Sequence, residues 1–477
     1  TPALVIGTDT RASGVKISDA VMGILDCSFI DAGIAPTPAI EFAARHFDAD
    51  GGIIITASHN EPHWNGFKFL GNDGAVLSEK EMVQVIQNFK TGSFKNFHKI
   101  QERKITEKNT ELMHEYQKFV YCIVGRENIE NIKNSGQKIL VDPNGGTGAI
   151  SKKILEQIGV ETIGVNMAYG EFNRAIEPTE DSLLYLTKII NEKNADFAAG
   201  FDCDADRVEI LMKNGQLLSG NCILALVADE VLSNVKNPQN QIVVVNDATS
   251  NIVKDIVQKH GAKIKEVEVG ETNVVWEMQK SKAVLGGEGS SGGVIMPPSK
   301  CRDGILTLLM MLSVIAKKNG RLENIIEKFP KYYTLRRKME LDMAKHGKIK
   351  AYLKNHYTEK GFKIMENGGV RGSLKITAGK NSFVWFRASK TEPNIFRIIS
   401  DSNEKEEAEK LIDEAVDILV KNYEGVEPEF QHGHFSTGDL YKISDREVII
   451  LSNLYWSWKP PFYDAIFGYH WFIYHLP

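Results

Sequence analysis

The chain has no CxxC pair, no apolar run long enough for a bilayer and no long run of basic residues, and each absence excludes a class of function. Its five cysteines, Cys27, Cys122, Cys203, Cys222 and Cys301, are odd in number and irregular in spacing. That argues against a disulfide framework and for a reducing cytoplasm. The longest apolar stretch, Ile305–Ala316, is interrupted by Thr307 and Ser313. Crossing a bilayer takes about 20 residues, so this run predicts a buried helix and no membrane partner. A net charge of −5 without basic clusters gives no nucleic-acid surface. No secretory signal and no initiator Met open the chain; Thr1 runs at once into a strand-like segment, so the start reads as cut.

What is present is length and internal repetition. The 477 residues predict three or four domains at roughly 100–200 residues each. Three segments share one layout. A short apolar strand ends in an Asp-bearing turn at Leu4–Asp9, Ile139–Asn144 and Ile242–Asp247. A helical stretch and further apolar runs follow. Each segment then reaches a polar or glycine-rich loop: Thr56–Asn60 (TASHN), Asp202–Arg207 (DCDADR) and Gly286–Gly293 (GGEGSSGG). Strands alternating with helices predict α/β units with mixed sheets, and ligands gather at strand carboxyl ends in such sheets. The fourth unit differs. Strands at Phe383–Phe386 and Ile395–Ile399 and a helix at Lys405–Lys421 predict a smaller α+β domain. Linkers are expected near 128–136, 236–241 and 343–348. They give domains at 1–127, 128–237, 238–345 and 346–425, and a tail at 426–477. That tail packs ten aromatic residues between Tyr455 and Tyr474 and has no clear period.

The metal signal is the strongest of the loop signals. In an extended chain Asp202, Asp204 and Asp206 point the same way. Such an anionic site is costly without a cation, and three oxygen donors suit Mg²⁺. An EF-hand reading fails, because Arg207 and Lys213 stand where Gly and Glu are required. Cys203 reads as a filler, since Mg²⁺ prefers oxygen. Ser58 in TASHN sits on a tight loop after an apolar strand and could carry a phosphoryl group with cationic help from Lys68; alone, the loop reads as an ordinary polar turn. Glu288 and Ser290 could bind sugar hydroxyls on a glycine-rich loop that reads equally as a hairpin. Arg387, Ser389, Thr391 and Arg397 could cradle a phosphate, or make a surface turn with salt bridges.

Taken together and in this order, one per domain, the four loops resemble those of the α-D-phosphohexomutase family: phosphoglucomutases, phosphomannomutases and phosphoglucosamine mutases. TASHN with the following NGxK resembles the family's phosphoserine loop, DCDADR its DxDxDR metal loop, GEGSSG its GExSG sugar loop and RASKTEP its RxSxTEP phosphate loop. The resemblance runs roughly from Ala3 to Lys421. It implies that phospho-Ser58 donates to a hexose phosphate and that Mg²⁺ lies on Ser58, Asp202, Asp204 and Asp206. Arg11, Arg207, Lys68 and His59 join the catalytic set. Arg387, Ser389, Thr391 and Arg397 are implied to hold the non-reacting phosphate, beneath a hinged fourth domain. A hexose 1,6-bisphosphate is implied as activator, and a monomer or homodimer as the assembly.

Two departures from the family pattern stand out. The family's opening strand and arginine loop have no counterpart before Val5–Arg11, which predicts an exposed position in the first sheet. The sugar loop is one residue longer and lacks a His after its SG, which leans toward a phosphoglucosamine mutase over a phosphoglucomutase/phosphomannomutase. A metal-dependent phosphatase and a catalytically silent sugar-phosphate-binding paralogue are the rivals from other classes.

Overall fold

The computed structural model describes residues 2–91, 104–318, 320–369, 372–389 and 394–422, and beyond them only the backbone of six short strands between 427 and 475. The repetition expected from the sequence is real and has one topology. In the first unit the strand Ala3–Thr8 lies between Ser28–Ile34 and Gly51–Ile55, parallel to both, and Gly66–Gly71 returns antiparallel to Gly51–Ile55. The second unit repeats this order with Glu161–Gly164, Lys138–Asp142, Phe197–Phe201 and Val208–Met212. The third does so with Lys263–Val267, Ile242–Asn246, Leu285–Gly287 and Val294–Ile295. In all three, the chemistry-bearing loop leaves the carboxyl end of the third strand and feeds the antiparallel return. Sequence-related units thus present TASHN, DCDADR and the glycine-rich loop from equivalent positions.

The apolar run becomes the helix Gly304–Lys317, buried from Gly304 to Ala316. A helix that is apolar all round belongs in a core, not on a surface. Asp303 caps it, accepting from the Leu306 amide at 2.9 Å, a contact worth about 1 kcal/mol. The first helical amide, Gly304 N, donates to Ala205 O at 3.1 Å. The core helix therefore holds the backbone of the acidic loop directly. Among the described residues no helix is long and apolar enough to cross a membrane.

The last unit is an antiparallel sheet in the order Lys363–Glu366, Leu374–Thr377, Phe383–Ala388, Ile395–Ser402, Tyr333–Glu340, Glu427–Glu429, with helices His346–Glu359 and Lys405–Asn422. It bears out the α+β expectation but corrects a boundary. Tyr333–Glu340 pairs with Ile395–Ser402 along its whole length. The unit therefore starts ahead of Tyr333, and residues 343–348 are a 3₁₀ turn running into a helix, not a linker. Its run of cations (Arg336, Arg337, Lys338) hid this strand from a reading based on apolar content. Two further boundaries move. Most of 128–136 lies in the helix Arg126–Asn134. The helix Gly220–Asn234, assigned from sequence to the second unit, packs on Asn251–Lys259 and Gly304–Lys317 of the third. Nor is the first sheet open beside Gly66–Gly71: His470–His475 pairs there antiparallel, Trp471 opposite Phe67 and Phe472 opposite Gly66.

Candidate active site

The three aspartates converge as expected, but through a turn and not through the alternation of an extended chain. One carboxylate oxygen from each of Asp202, Asp204 and Asp206 lies within 4.8 Å of the others, and all three residues are buried. Ala205, between two of them, adopts φ +57°, which turns the loop tightly. Thr37 holds Asp204 from the first unit, its Oγ1 donating to Oδ2 at 2.7 Å and its amide to the Asp204 carbonyl at 2.9 Å. Lys68 reaches in from Gly66–Gly71, with Nζ 3.0 Å from Asp204 Oδ2 and 3.3 Å from Asp206 Oδ2. Burial opposes the Lys68 charge, but the two carboxylates outweigh it and raise its pKa, so the ammonium stays charged. Burial, then the neighbouring Asp206 and Asp204 charges, push the Asp202 pKa well up. Burial also works against the Asp206 charge, yet Lys68, Arg302 and Arg207 overcome it and pull the pKa down.

Asp204 Oδ1 and Asp206 Oδ1 are buried without a hydrogen-bond partner. Such orphaned acceptors are costly unless something binds them. An all-oxygen donor set with two unspent buried acceptors fits a hard divalent cation.

Ser58 meets this cluster from the first unit. Its Oγ donates to Asp202 Oδ2 at 3.2 Å. Ser58 has φ +49°, unusual for a residue with a side chain, and the loop holds it there. The Ser58 amide donates to Thr56 Oγ1 at 2.9 Å, and Thr56 Oγ1 to Asp9 Oδ2 at 2.6 Å. Arg11 is fully buried and pairs with Asp9. Its Nη2 donates to the carbonyls of Ser58, at 2.9 Å, and Asn60. Arg11 therefore aims the loop rather than facing the acidic cluster. His59 Nδ1 is buried without a partner. Burial and then the Arg207 charge lower the His59 pKa well below the usual histidine value, so the ring is neutral. Arg207 borders the cluster with Nε 3.6 Å from Asp206 Oδ1 and 3.9 Å from Asp202 Oδ2.

Sequence reasoning missed the residue that ties the loops together. Arg302 has Nη2 3.6 Å from Asp206 Oδ2 and Nη1 3.3 Å from Glu288 Oε2, and it donates to Glu271 Oε2 at 2.6 Å and Ser291 Oγ at 3.3 Å. One buried guanidinium thus joins the metal-type loop to the glycine-rich loop. The available signal was a charged pair, Arg302–Asp303, directly ahead of a wholly apolar helix, where only a cap was needed. Glu288 also accepts from Asn246 Nδ2 at 2.9 Å and Gly270 N at 3.0 Å, whereas Ser290 is exposed.

The glycine-rich loop docks on the acidic one through Val208 N to Gly292 O at 2.7 Å and Gly292 N to Glu209 Oε1 at 2.8 Å. A Cβ on Gly292 would lie 1.9 Å from Val208 O. Gly292→Ala is expected to destabilise the protein by roughly 1–3 kcal/mol, read by urea unfolding; an unchanged midpoint would contradict this docking.

Burial is the main cause that raises the Glu209 carboxyl from 4.5 to about 8. Because the folded protein holds this proton more tightly than the unfolded chain, Glu209 lends stability that is complete below pH 4.5 and is lost as pH rises to about 8. Glu209→Gln is expected to flatten that decline relative to the parent in thermal melts across the window. Parallel Tm–pH curves for the two proteins would refute it.

The phosphate-type residues lie on the last unit. Arg387 and Arg397 sit directly opposite on neighbouring strands. Arg387 Nη2 donates to Glu268 Oε1 of the third unit at 3.0 Å. Ser389 N donates to Ile395 O at 2.7 Å. Thr391 lies outside the described residues.

Comparisons with known proteins bear on the family and the fold. Family models for phosphoglucomutase/phosphomannomutase α/β/α domains I, II and III match residues 1–96, 115–215 and 219–333. The second limit confirms that Gly220–Asn234 belongs to the third unit. A phosphoglucomutase/phosphomannomutase of Thermococcus kodakarensis is 33% identical over 89% of this chain and 91% of its own. A phosphoglucosamine/phosphogalactosamine mutase of Sulfurisphaera tokodaii is 28% identical over 87% of this chain and 91% of its own. A crystal structure of a phosphoglucomutase/phosphomannomutase family protein from Burkholderia thailandensis superposes with a TM-score of 0.73 at 19% identity, covering 90% of this chain and 91% of that one, and shares the fold. The chain belongs to the phosphoglucomutase/phosphomannomutase family of α-D-phosphohexomutases and is a phosphosugar mutase, an isomerase that works by intramolecular phosphoryl transfer.

Proposed function

We propose that this chain interconverts hexose 6-phosphate and hexose 1-phosphate through a phosphorylated Ser58 and a bisphosphosugar intermediate. The observation that carries the reading is Ser58 Oγ at 3.2 Å from Asp202 within the three-aspartate cluster. A hydroxyl of the sugar phosphate attacks the phosphorus of phospho-Ser58. The new O–P bond forms as the Ser58 O–P bond breaks, and the return step at the other end regenerates the phosphoserine. Arg11 fixes the loop carbonyls, so the serine oxygen does not search for its position. His59 Nδ1, without another partner, is the acceptor for the hydroxyl proton. Lys68, held by two carboxylates, and Arg207 supply positive charge beside the transferring group. Ser58, Asp202, Asp204 and Asp206 would hold Mg²⁺, whose chemistry there is to neutralise charge on the transferring phosphoryl group. Glu288 and Ser290 meet the sugar, and Arg387, Ser389, Thr391 and Arg397 bind the phosphate that is not reacting. A hexose 1,6-bisphosphate primes the serine.

The glycine-rich loop, with no His after Ser291-Gly292, leans the substrate toward glucosamine phosphate. The relatives support both that sugar and the glucose/mannose pair, since their names divide between the two. A coupled assay with Mg²⁺ on glucosamine 6-phosphate, mannose 1-phosphate and glucose 1-phosphate separates them. The highest kcat/KM is expected with glucosamine 6-phosphate. Preference for either neutral sugar would reassign the substrate, and steady release of inorganic phosphate would replace the mutase reading with a phosphatase.

A further inference from the structure

We infer that Glu268 is a built-in competitor for the substrate's phosphate: a positioning residue that acts through Arg387 and sets how tightly the cradle holds a phosphosugar. The inference rests on the mutase reading above and adds a residue that no motif points to.

The argument starts from the strand register of the last unit. Lys338 lies opposite Arg397, and Arg397 opposite Arg387, so three cations form one row across three neighbouring strands. Like charges directly opposite in a sheet are destabilising, so such a row needs an anion. The other face of these strands carries Met339, Phe396, Ile398 and Phe386, the core of the unit. The cationic face is therefore turned away from that core.

It is turned toward carboxylates at the strand ends of the third unit. Trp385 Nε1 donates to Asp247 Oδ1 at 3.0 Å and Asn367 Nδ2 to Asp247 Oδ2 at 2.7 Å, and Lys375 pairs with Glu266. These contacts dock the last unit and involve none of the residues proposed for phosphate. Glu268 is different. It follows the strand Lys263–Val267, two residues before Gly270, whose amide donates to Glu288 in the sugar loop. It thus stands between the sugar loop and the cradle. Its carboxylate takes Nη2 of Arg387, while Nε of the same guanidinium is buried without a partner. A carboxylate and a phosphate offer a guanidinium the same oxygen geometry. In this conformation Glu268 supplies one such oxygen and the second donor of the fork stays unspent.

This arrangement suits the proposed chemistry. A bisphosphosugar that must turn within the cleft has to leave the cradle once in every turnover. Binding that is equally strong in all states lowers KM without raising kcat. A carboxylate that takes Arg387 back as the phosphate departs lowers the cost of letting go, because the guanidinium is never left buried and bare.

The test measures equilibrium binding of glucose 6-phosphate to the full chain by calorimetry, for the parent, Glu268→Gln, Arg387→Ala and the double variant. If Glu268 competes, Glu268→Gln binds the ligand about fivefold more tightly, the scale of a partly exposed ion pair. In the Arg387→Ala background the same change then has no effect on Kd. Steady-state KM for the sugar phosphate falls in parallel with Kd in Glu268→Gln, and a purely structural role would not produce that tightening. Unchanged or weaker binding in Glu268→Gln overturns the inference, as does an equal tightening with Arg387 absent. No binding of glucose 6-phosphate by the parent would overturn the proposed phosphate cradle, and the competitor role with it. Binding in the parent that Glu268→Gln does not tighten would refute the competitor role alone.

Discussion

Ser58→Ala is expected to lower mutase turnover on the order of 10⁴-fold or more, because it removes the atom proposed to carry the phosphoryl group between the two ends of the sugar. Among the described residues, the carboxylates of the cluster are engaged by Lys68, Thr37 and Arg207, and the Thr37 hydroxyl is spent on Asp204. The side chain of Ser58 is small, and among the described residues its Oγ hydrogen-bonds to Asp202 alone. The variant should therefore fold and keep its melting temperature to within a degree or two, an effect of a few tenths of a kcal/mol or less. KM for the sugar phosphate should change little, since the proposed cradle lies on another unit. Turnover within tenfold of the parent would remove the serine from the mechanism.

Asp202→Asn is expected to move activity and stability in opposite directions. The three carboxylates repel one another in a buried site. Removing one charge should raise the melting temperature of the metal-free protein, by the equivalent of roughly 1 kcal/mol. The same change removes a proposed ligand. Activity with Mg²⁺ should fall on the order of 10³-fold, a loss of about 4 kcal/mol of transition-state stabilisation. In the parent, Mg²⁺ at roughly 100 times its Kd should add about 2.7 kcal/mol of stability. In the variant that gain should shrink toward zero. A drop in metal-free stability, or an undiminished Mg²⁺ effect on melting, would show that the trio is a structural knot and not a cation site.

The legible parts of this molecule were those in which local pattern and final geometry obey the same rule. Three aspartates within five residues mark a cation-type cluster whatever the loop does, so the cluster could be read locally, although a turn at Ala205, and not extended alternation, brings the carboxylates together. The repeated strand–helix order could be read because each unit restarts the same apolar pattern, and the buried helix because Ile305–Ala316 is apolar on every side. What escaped depends on contacts between distant segments. Arg302 matters only because the third unit docks against the second, bringing Asp206 and Glu288 to one guanidinium. Thr37 matters because the first unit's second helix starts against the acidic loop. The strand Tyr333–Glu340 carries three consecutive cations, Arg336, Arg337 and Lys338, where alternating apolar and polar residues would be expected, so its period was masked by charge. Arg11 is expected from sequence in the catalytic set, yet its buried pairing with Asp9 and its bonds to the Ser58 and Asn60 carbonyls make it a brace for the Ser58 loop, which no local pattern conveys.

The account depends on a phosphoryl group residing on Ser58 and leaving it for the sugar. The direct measurement is to incubate the enzyme and Mg²⁺ with ³²P-labelled glucose 1,6-bisphosphate, map the labelled peptide, and chase with unlabelled sugar phosphate. The label is expected on the peptide containing Ser58, absent from Ser58→Ala, and discharged into sugar phosphate during the chase. Mutase turnover with label on another residue, or with none on the protein, would contradict it.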